Sequence, residues 1–225
     1  MKAMDKPKKA LQTKVKLPKS LKQQKKTKIL AIGDIHGDTG LVKRLVEMAK
    51  RENVDLVILA GDLTFAERST DYIVGPFIRA KKQVLLIPGN HESLATADFL
   101  AQAYPNTKNI HGSSFRKNDL GIFGAGTANM GVHQIGENNI FNALKRGYEQ
   151  IRGANKKVMV THMHPFGSKA EIFGFLGSRA IRKAIEKFEP DILINAHIHE
   201  AGGLHEKIGK TYVINVSRKE KIFEI

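Results

Sequence analysis

From Lys28 to the C terminus, short apolar runs alternate with longer stretches in which apolar and polar residues recur at helical spacing. KILAIGD (28–34), VDLVILAGD (54–62), QVLLIPGN (83–90), KKVMVTH (156–162) and PDILINAH (190–197) have the nearly continuous apolar character of strands covered on both faces. Between them, TGLVKRLVEMAKREN (39–53) puts Leu41, Leu45 and Met48 on one helical face. Residues 93–102, 138–152 and 178–188 read as further helices, the last with Ser178 as its N-cap. STDYIVGPFIRAKK (69–82) reads as a helix interrupted near Gly75 and Pro76. NIHGSSFRKNDLGIFGAG (109–126) predicts a hairpin turning at Lys117 to Asp119, HEKIGKTYVINVS (205–217) predicts a second, and KIFEI (221–225) a last strand. Strand and helix alternate early and hairpins come late, which predicts a layered α/β fold with mixed sheets.

Composition narrows the chemistry. The 225 residues suffice for one sizeable core, and no apolar stretch approaches the roughly 20 residues of a membrane span, so neither a second full domain nor a membrane partner is expected. The chain has no cysteine, which leaves His, Asp, Glu, Asn and backbone groups as metal ligands. Of the formal net charge of +15, residues 1–28 carry +10, from eleven lysines and the single acid Asp5. This lysine-rich segment has neither an apolar h-region nor an arginine, and so fits neither a secretory signal nor a typical transit peptide. Residues 1–27 are expected to be a disordered basic arm, with contact to nucleic acid or an acidic surface as the alternative, and residues 28–225 a single domain.

What stands at the end of each apolar run changes the picture most. The runs end in Asp34 and His36, in Asp62, in Asn90 and His91, in His162 and His164, and in His197 and His199. In α/β proteins ligands bind beyond the carboxyl ends of strands, so these side chains are expected to gather at one edge. Asp34/His36, His162/His164 and His197/His199 share an i, i+2 spacing that in an extended segment sends both groups to one face. Gly33, Gly61 and Gly89 stand before the candidate ligands or their neighbours, where the backbone must turn tightly or approach a bound group. Singly, each motif suits a structural role, since Asp and Asn also cap helices. Jointly, with six of the nine histidines in these clusters, they point to one cation site.

In the order GDIHG, GDL, GNHE, H-x-x-P and H-x-H, the chain from Ile29 to Ser217 resembles the calcineurin-like metallophosphoesterases. The resemblance implies a four-layer α-β-β-α sandwich with two mixed sheets and a dinuclear metal centre at the strand ends. It implies that Asp34, His36 and His199 bind one metal, that Asn90, His162 and His197 bind the other, and that Asp62 bridges them. His91 is then no ligand but the group that protonates or stabilises the leaving oxygen. Imidazole and carboxylate ligands suit Mn²⁺, Fe, Zn²⁺, Co²⁺ or Ni²⁺ better than Ca²⁺ or Mg²⁺; the resemblance favours Mn²⁺ or iron. The expected activity is hydrolysis of a small phosphodiester or phosphomonoester by a metal-held water or hydroxide, in a small cytoplasmic phosphoesterase without a large cap domain. A nuclease using the basic arm, or a noncatalytic scaffold of this fold, are the alternatives.

Three features depart from the family pattern. Ala196 stands where glycine usually precedes the last H-x-H, and Asn215, Val216 and Ser217 stand where an N-P-G turn is common. GDL is followed by TFAER (64–68) rather than the D-R-G of serine/threonine phosphoprotein phosphatases, which points away from phosphoprotein substrates. GAGTANMGVHQIG (124–136) suits a loop at the rim of a site, and Arg179 or Arg182 is a candidate for meeting an anionic substrate. His164 is read either as lying beside the pocket or as facing solvent; His111, His133 and His205 are read as structural.

Overall fold

The computed structural model describes residues 26–225. The basic arm expected at the N terminus lies, up to residue 25, outside them. Two mixed sheets face each other. The first has the order β11-β1-β2-β3-β4, built from β1 (Lys28–Ile32), β2 (Leu56–Ala60), β3 (Gln83–Ile87), β4 (Thr107–Asn109) and β11 (Lys221–Glu224). The second has the order β5-β6-β7-β8-β10-β9, from β5 (Ser114–Lys117), β6 (Leu120–Ala125), β7 (Lys156–Thr161), β8 (Ile192–Asn195), β9 (His205–Ile208) and β10 (Thr211–Asn215). The central strands of each sheet are parallel, and antiparallel pairs β1/β11, β5/β6 and β9/β10 lie toward the edges.

The period-two alternation of strand side chains sorts them between two cores. In β1, Leu30 and Ile32 face outward into a cluster with Leu41 and Leu45 of α1 (Thr39–Arg51), Phe77 of α2 (Gly75–Arg79) and Leu100 of α3 (Leu94–Ala103). Ile29 and Ala31 face the other way, into a layer between the sheets with Ile58, Leu85, Ile122, Val160, Ile194 and Ile214. On the far side, Phe123, Met159 and Leu193 pack under α4 (Glu137–Gln150) and α5 (Arg179–Phe188). The order of layers is helix, sheet, sheet, helix, as the resemblance implies. Among the described residues no helix is long and apolar enough to cross a membrane.

Two segments differ from the sequence reading. The helix expected over 69–82 is reduced to α2, because Pro76 fits only the first turn of a helix and disfavours helical backbone in the residue before it. Asn109, read as the start of a hairpin, ends β4, which pairs with β3 in the first sheet; the hairpin is β5/β6, turning at Asn118 and Asp119. The final strand expected at KIFEI forms and lies antiparallel to β1.

Gly147 sits inside α4, where glycine weakens a helix by about 1 kcal/mol relative to alanine. A Cβ there would stand 2.5 Å from the Ser113 carbonyl oxygen and 3.1 Å from Phe123 Cβ, so the helix can seat on the sheet only without one. Gly147→Ala is therefore expected to destabilise the protein by about 1–3 kcal/mol in urea unfolding, against the helix preference. A stabilised variant would mean that the contact yields.

Candidate metal centre

Every candidate ligand lies just beyond the end of a strand: Asp34 and His36 after β1, Asp62 after β2, Asn90 after β3, His162 after β7, His197 and His199 after β8. The i, i+2 pairs do not converge through a strand pleat. Asp34 (φ 56°), His36 (φ 49°), Asp62 (φ 50°) and His197 (φ 73°) all adopt left-handed backbone, which residues with side chains rarely do and which recurs at functional sites. The chain turns sharply at these four residues, and backbone bonds lock the turns together. The Asp34 N–H donates to the Gly61 carbonyl (3.0 Å), that of His36 to Asp62 (2.9 Å) and that of Gly37 to Leu63 (2.9 Å). Gly89 passes so close to Asp62 that a Cβ would overlap its carboxylate.

These turns bring all seven expected metal-site side chains together. Asp34 Oδ1 lies 3.9 Å from His36 Nε2 and 3.5 Å from His199 Nε2, and those two nitrogens are 3.2 Å apart. Asp62 Oδ2 is 3.7 Å from His36 Nε2 on one side and 3.4 Å from His162 Nε2 on the other. His162 Nε2 is 3.1 Å from Asn90 Oδ1 and 3.2 Å from His197 Nδ1. Two groups of ligand atoms thus adjoin, with Asp62 between them. His91 stands at the mouth. Its Nε2 is 4.0 Å from Asp62 Oδ2 and its ring is edge-on to that of His36, so it is also within reach of the His36/Asp62 group.

The donor set fits a cation. His162 Nδ1 is 2.9 Å from the Ala60 carbonyl oxygen and must donate to it, so in the neutral ring Nε2 carries a lone pair. That lone pair faces Asn90 Oδ1 and Asp62 Oδ2, which are acceptors as well. Asp34 Oδ2 accepts from Ser217 Oγ (2.5 Å) and the His197 N–H (3.0 Å), whereas its buried Oδ1 has no partner and points to His36 and His199. A positive charge among these atoms satisfies all of them.

The ionisation of the site shows the same demand for positive charge, met here by a protonated His162. Burial opposes the charge on Asp34 and Asp62, but nearby histidines and hydrogen bonds outweigh it and hold both carboxyls below their usual range. Burial likewise opposes charge on His162, yet Asp62 and Asp34 raise it to about 10; His197, buried beside it, is pushed down to about 3.

The remaining candidates divide between those near the cluster and those away from it. His164 lies outside the cluster, with Nε2 3.1 Å from the Phe175 carbonyl. His111 is structural, accepting from the Gly126 N–H, and burial lowers it to about 4. Arg179 lies over the Phe166 ring and Arg182 pairs with Glu186, so neither reaches the cluster. The 124–136 loop does border it: the His133 N–H donates to the Asn90 carbonyl, and Gly131 abuts the Asn90 side chain.

The sequence reading assigned no role to Glu92, Ser217, Arg218 or Phe65. Glu92 is fully buried, and its carboxylate accepts from the N–H groups of Gly89 (2.6 Å), Leu63 and Thr64 (both 3.1 Å), joining the Asp62 turn to the Asn90 turn. Its place directly after Asn90 and His91 was the available signal. Arg218 donates to the Asp34 carbonyl and to Asp38, a pairing across most of the chain that leaves no local trace. Phe65 packs near the His36 and His91 rings.

The fold recurs in solved structures of low sequence identity. A Thermus thermophilus protein, TT1561, matches with a TM-score of 0.71 at 18% identity, covering 88% of this chain and 99% of its own. A dimetal phosphatase from Danio rerio matches at 0.56 and 12%, over 85% and 87% of the two chains. An archaeal phosphodiesterase matches at 0.51 and 16%, over 88% and 99%. No curated protein sequence matches. The model of the calcineurin-like phosphoesterase family matches residues 27–201. That span takes in every side chain of the cluster, and the chain belongs to the calcineurin-like phosphoesterases, hydrolases of phosphoric ester bonds.

Proposed function

We propose that the protein hydrolyses a small phosphodiester or phosphomonoester at a centre of two divalent cations, Mn²⁺ or iron ahead of Zn²⁺, Ni²⁺ or Co²⁺. The observation that carries this reading is the Asp62 carboxylate between two groups of candidate ligand atoms, its Oδ2 lying 3.7 Å from His36 Nε2 on one side and 3.4 Å from His162 Nε2 on the other. Asp34, His36 and His199 hold one cation, Asn90, His162 and His197 the other, and Asp62 both. When bound, such a pair supplies an activated water at neutral pH and offsets the charge that develops on the phosphoryl oxygens.

The protein's own groups do the rest. Asn90 turns its oxygen to the ligand cluster, which leaves its NH₂ to donate to a phosphate oxygen. His91, partly exposed beside Asp62, is placed to give a proton to the leaving oxygen. Glu92 and the Ser217 hydroxyl hold Asp62, Asn90 and Asp34 in register, so that few side-chain rotations need freezing during turnover. The dimetal phosphatase and the archaeal phosphodiesterase among the structural relatives are consistent with either ester class.

Metal-free protein titrated with Mn²⁺, Fe²⁺, Zn²⁺ and Ni²⁺ is expected to recover hydrolysis of bis-p-nitrophenyl phosphate or p-nitrophenyl phosphate; full activity in excess chelator would end the proposal. Asp62→Ala is expected to purify without its metals, by elemental analysis, and to lose more than about 100-fold in kcat/KM. His91→Ala should instead retain both metals while kcat drops about 10²–10⁴-fold on esters with poor leaving groups and much less on p-nitrophenyl esters. Equal losses on both kinds of ester would exclude proton donation by His91.

A further inference from the structure

Between β7 and α5 the chain runs through a loop, residues 165–177, whose large apolar side chains face solvent. Ile172 is 74% exposed, Leu176 67% and Phe175 45%, and Phe166 and Phe173 are exposed as well. At roughly 200 Å² for each whole side chain, the five leave about 500 Å² of apolar surface uncovered on thirteen residues, in the range that marks an interaction site. The loop is not loose. The Glu171 carboxylate accepts from the N–H groups of Gly167 and Gly177 (both 2.9 Å) and closes the loop on itself. The Ser178 N–H donates to the His164 carbonyl, and the Phe166 N–H to that of Ser178. Buried Ala170 packs on Ile198 and Ala201, on either side of His199. A fixed scaffold thus holds apolar side chains out into water at the edge that carries the candidate metal centre.

Cations flank them. Arg179 lies 5.1 Å over the Phe166 ring, Arg182 reaches the Phe166 carbonyl, and Lys169 is exposed. The loop's acid, Glu171, is spent on the backbone, and the whole chain carries +15. Apolar side chains at a tip with arginine and lysine behind them match the boundary of a bilayer, where the tip enters the acyl region and the cations meet phosphate headgroups.

We propose that the 165–177 loop docks the protein on membrane surfaces rich in anionic lipid. This is binding in the interface plane, distinct from the spanning helix that the sequence lacks, and it does not depend on the chemistry proposed for the metal centre. Docked this way, the protein holds its catalytic edge at headgroup level.

The chain has no tryptophan, so Leu176→Trp provides a single fluorescent reporter in the full-length protein. With vesicles of phosphatidylcholine and phosphatidylglycerol its emission is expected to shift to the blue and to be quenched by brominated acyl chains, and phosphatidylcholine alone should give little of either. In co-sedimentation with the same vesicles, the full-length Ile172→Asp/Leu176→Asp variant is expected to partition at least 10-fold more weakly than wild type, with circular dichroism and hydrolysis of soluble p-nitrophenyl esters unchanged. An unshifted Leu176→Trp, or a double variant that binds as well as wild type through its lysine-rich segment, would overturn the proposal. So would a wild-type dimer in light scattering that the double variant abolishes while neither protein binds vesicles, which would assign the loop to self-association.

Discussion

Two carboxylates buried at the ends of neighbouring strands set the terms for everything around them. An ionised group removed from water costs several kcal/mol unless other charges and hydrogen bonds replace its hydration. Asp34 and Asp62 are almost fully buried and stay ionised because imidazoles, backbone N–H groups and a serine hydroxyl surround them. The compensation is incomplete on one side. Asp34 Oδ1 has no hydrogen-bond donor, although it faces the His36 and His199 rings. The fold supplies a concentrated negative site with nitrogen ligands around it, which is the electrostatic counterpart of a divalent cation.

That constraint explains the backbone. Seven side chains cannot meet from straight strands about 4.8 Å apart, so the chain must turn at the ligands themselves. Four of them take left-handed conformations, a strain of about 1–3 kcal/mol each that persists only where neighbouring groups over-determine it. Here the neighbours are the crossing bonds between the Asp34 and Asp62 turns and the buried Glu92 carboxylate behind the Asp62 and Asn90 turns. The Ala196 that stands in place of the family's usual glycine is accommodated at the same edge, since its methyl group fills the space that a side chain at Gly33 would need.

Much of this was legible beforehand because burial leaves a local record. Strands covered on both faces need continuous apolar runs, and all five of the runs that end in candidate ligands became strands. Polar residues that interrupt such runs at their ends must have partners, which is why Asp34, Asp62, Asn90, His162, His197 and His199 could be picked out together. The reasoning for the paired positions was nonetheless incomplete: a same-face rule for extended chain led to Asp34 and His36, and left-handed turns bring them together. The helix expected over 69–82 failed because the proline's restriction on its neighbours outweighed the apolar spacing. Ser217, Arg218 and the pairing of β11 with β1 left no mark, because each depends on a partner more than a hundred residues away.

The amino-acid sequence by itself determined that the five apolar runs ending in candidate ligands are strands, which residue types end them, and that oxygen and imidazole ligands are the only side-chain ligands available. Those properties follow from side-chain chemistry and spacing, which act over a few residues. Tertiary structure alone decided that candidate ligands from two different sheets gather around Asp62, that Glu92 and Ser217 brace them, and that the loop after His164 holds its apolar side chains in solvent. Each of these is a relation between distant parts of the chain. It exists only once the layer between the sheets has packed and fixed their separation.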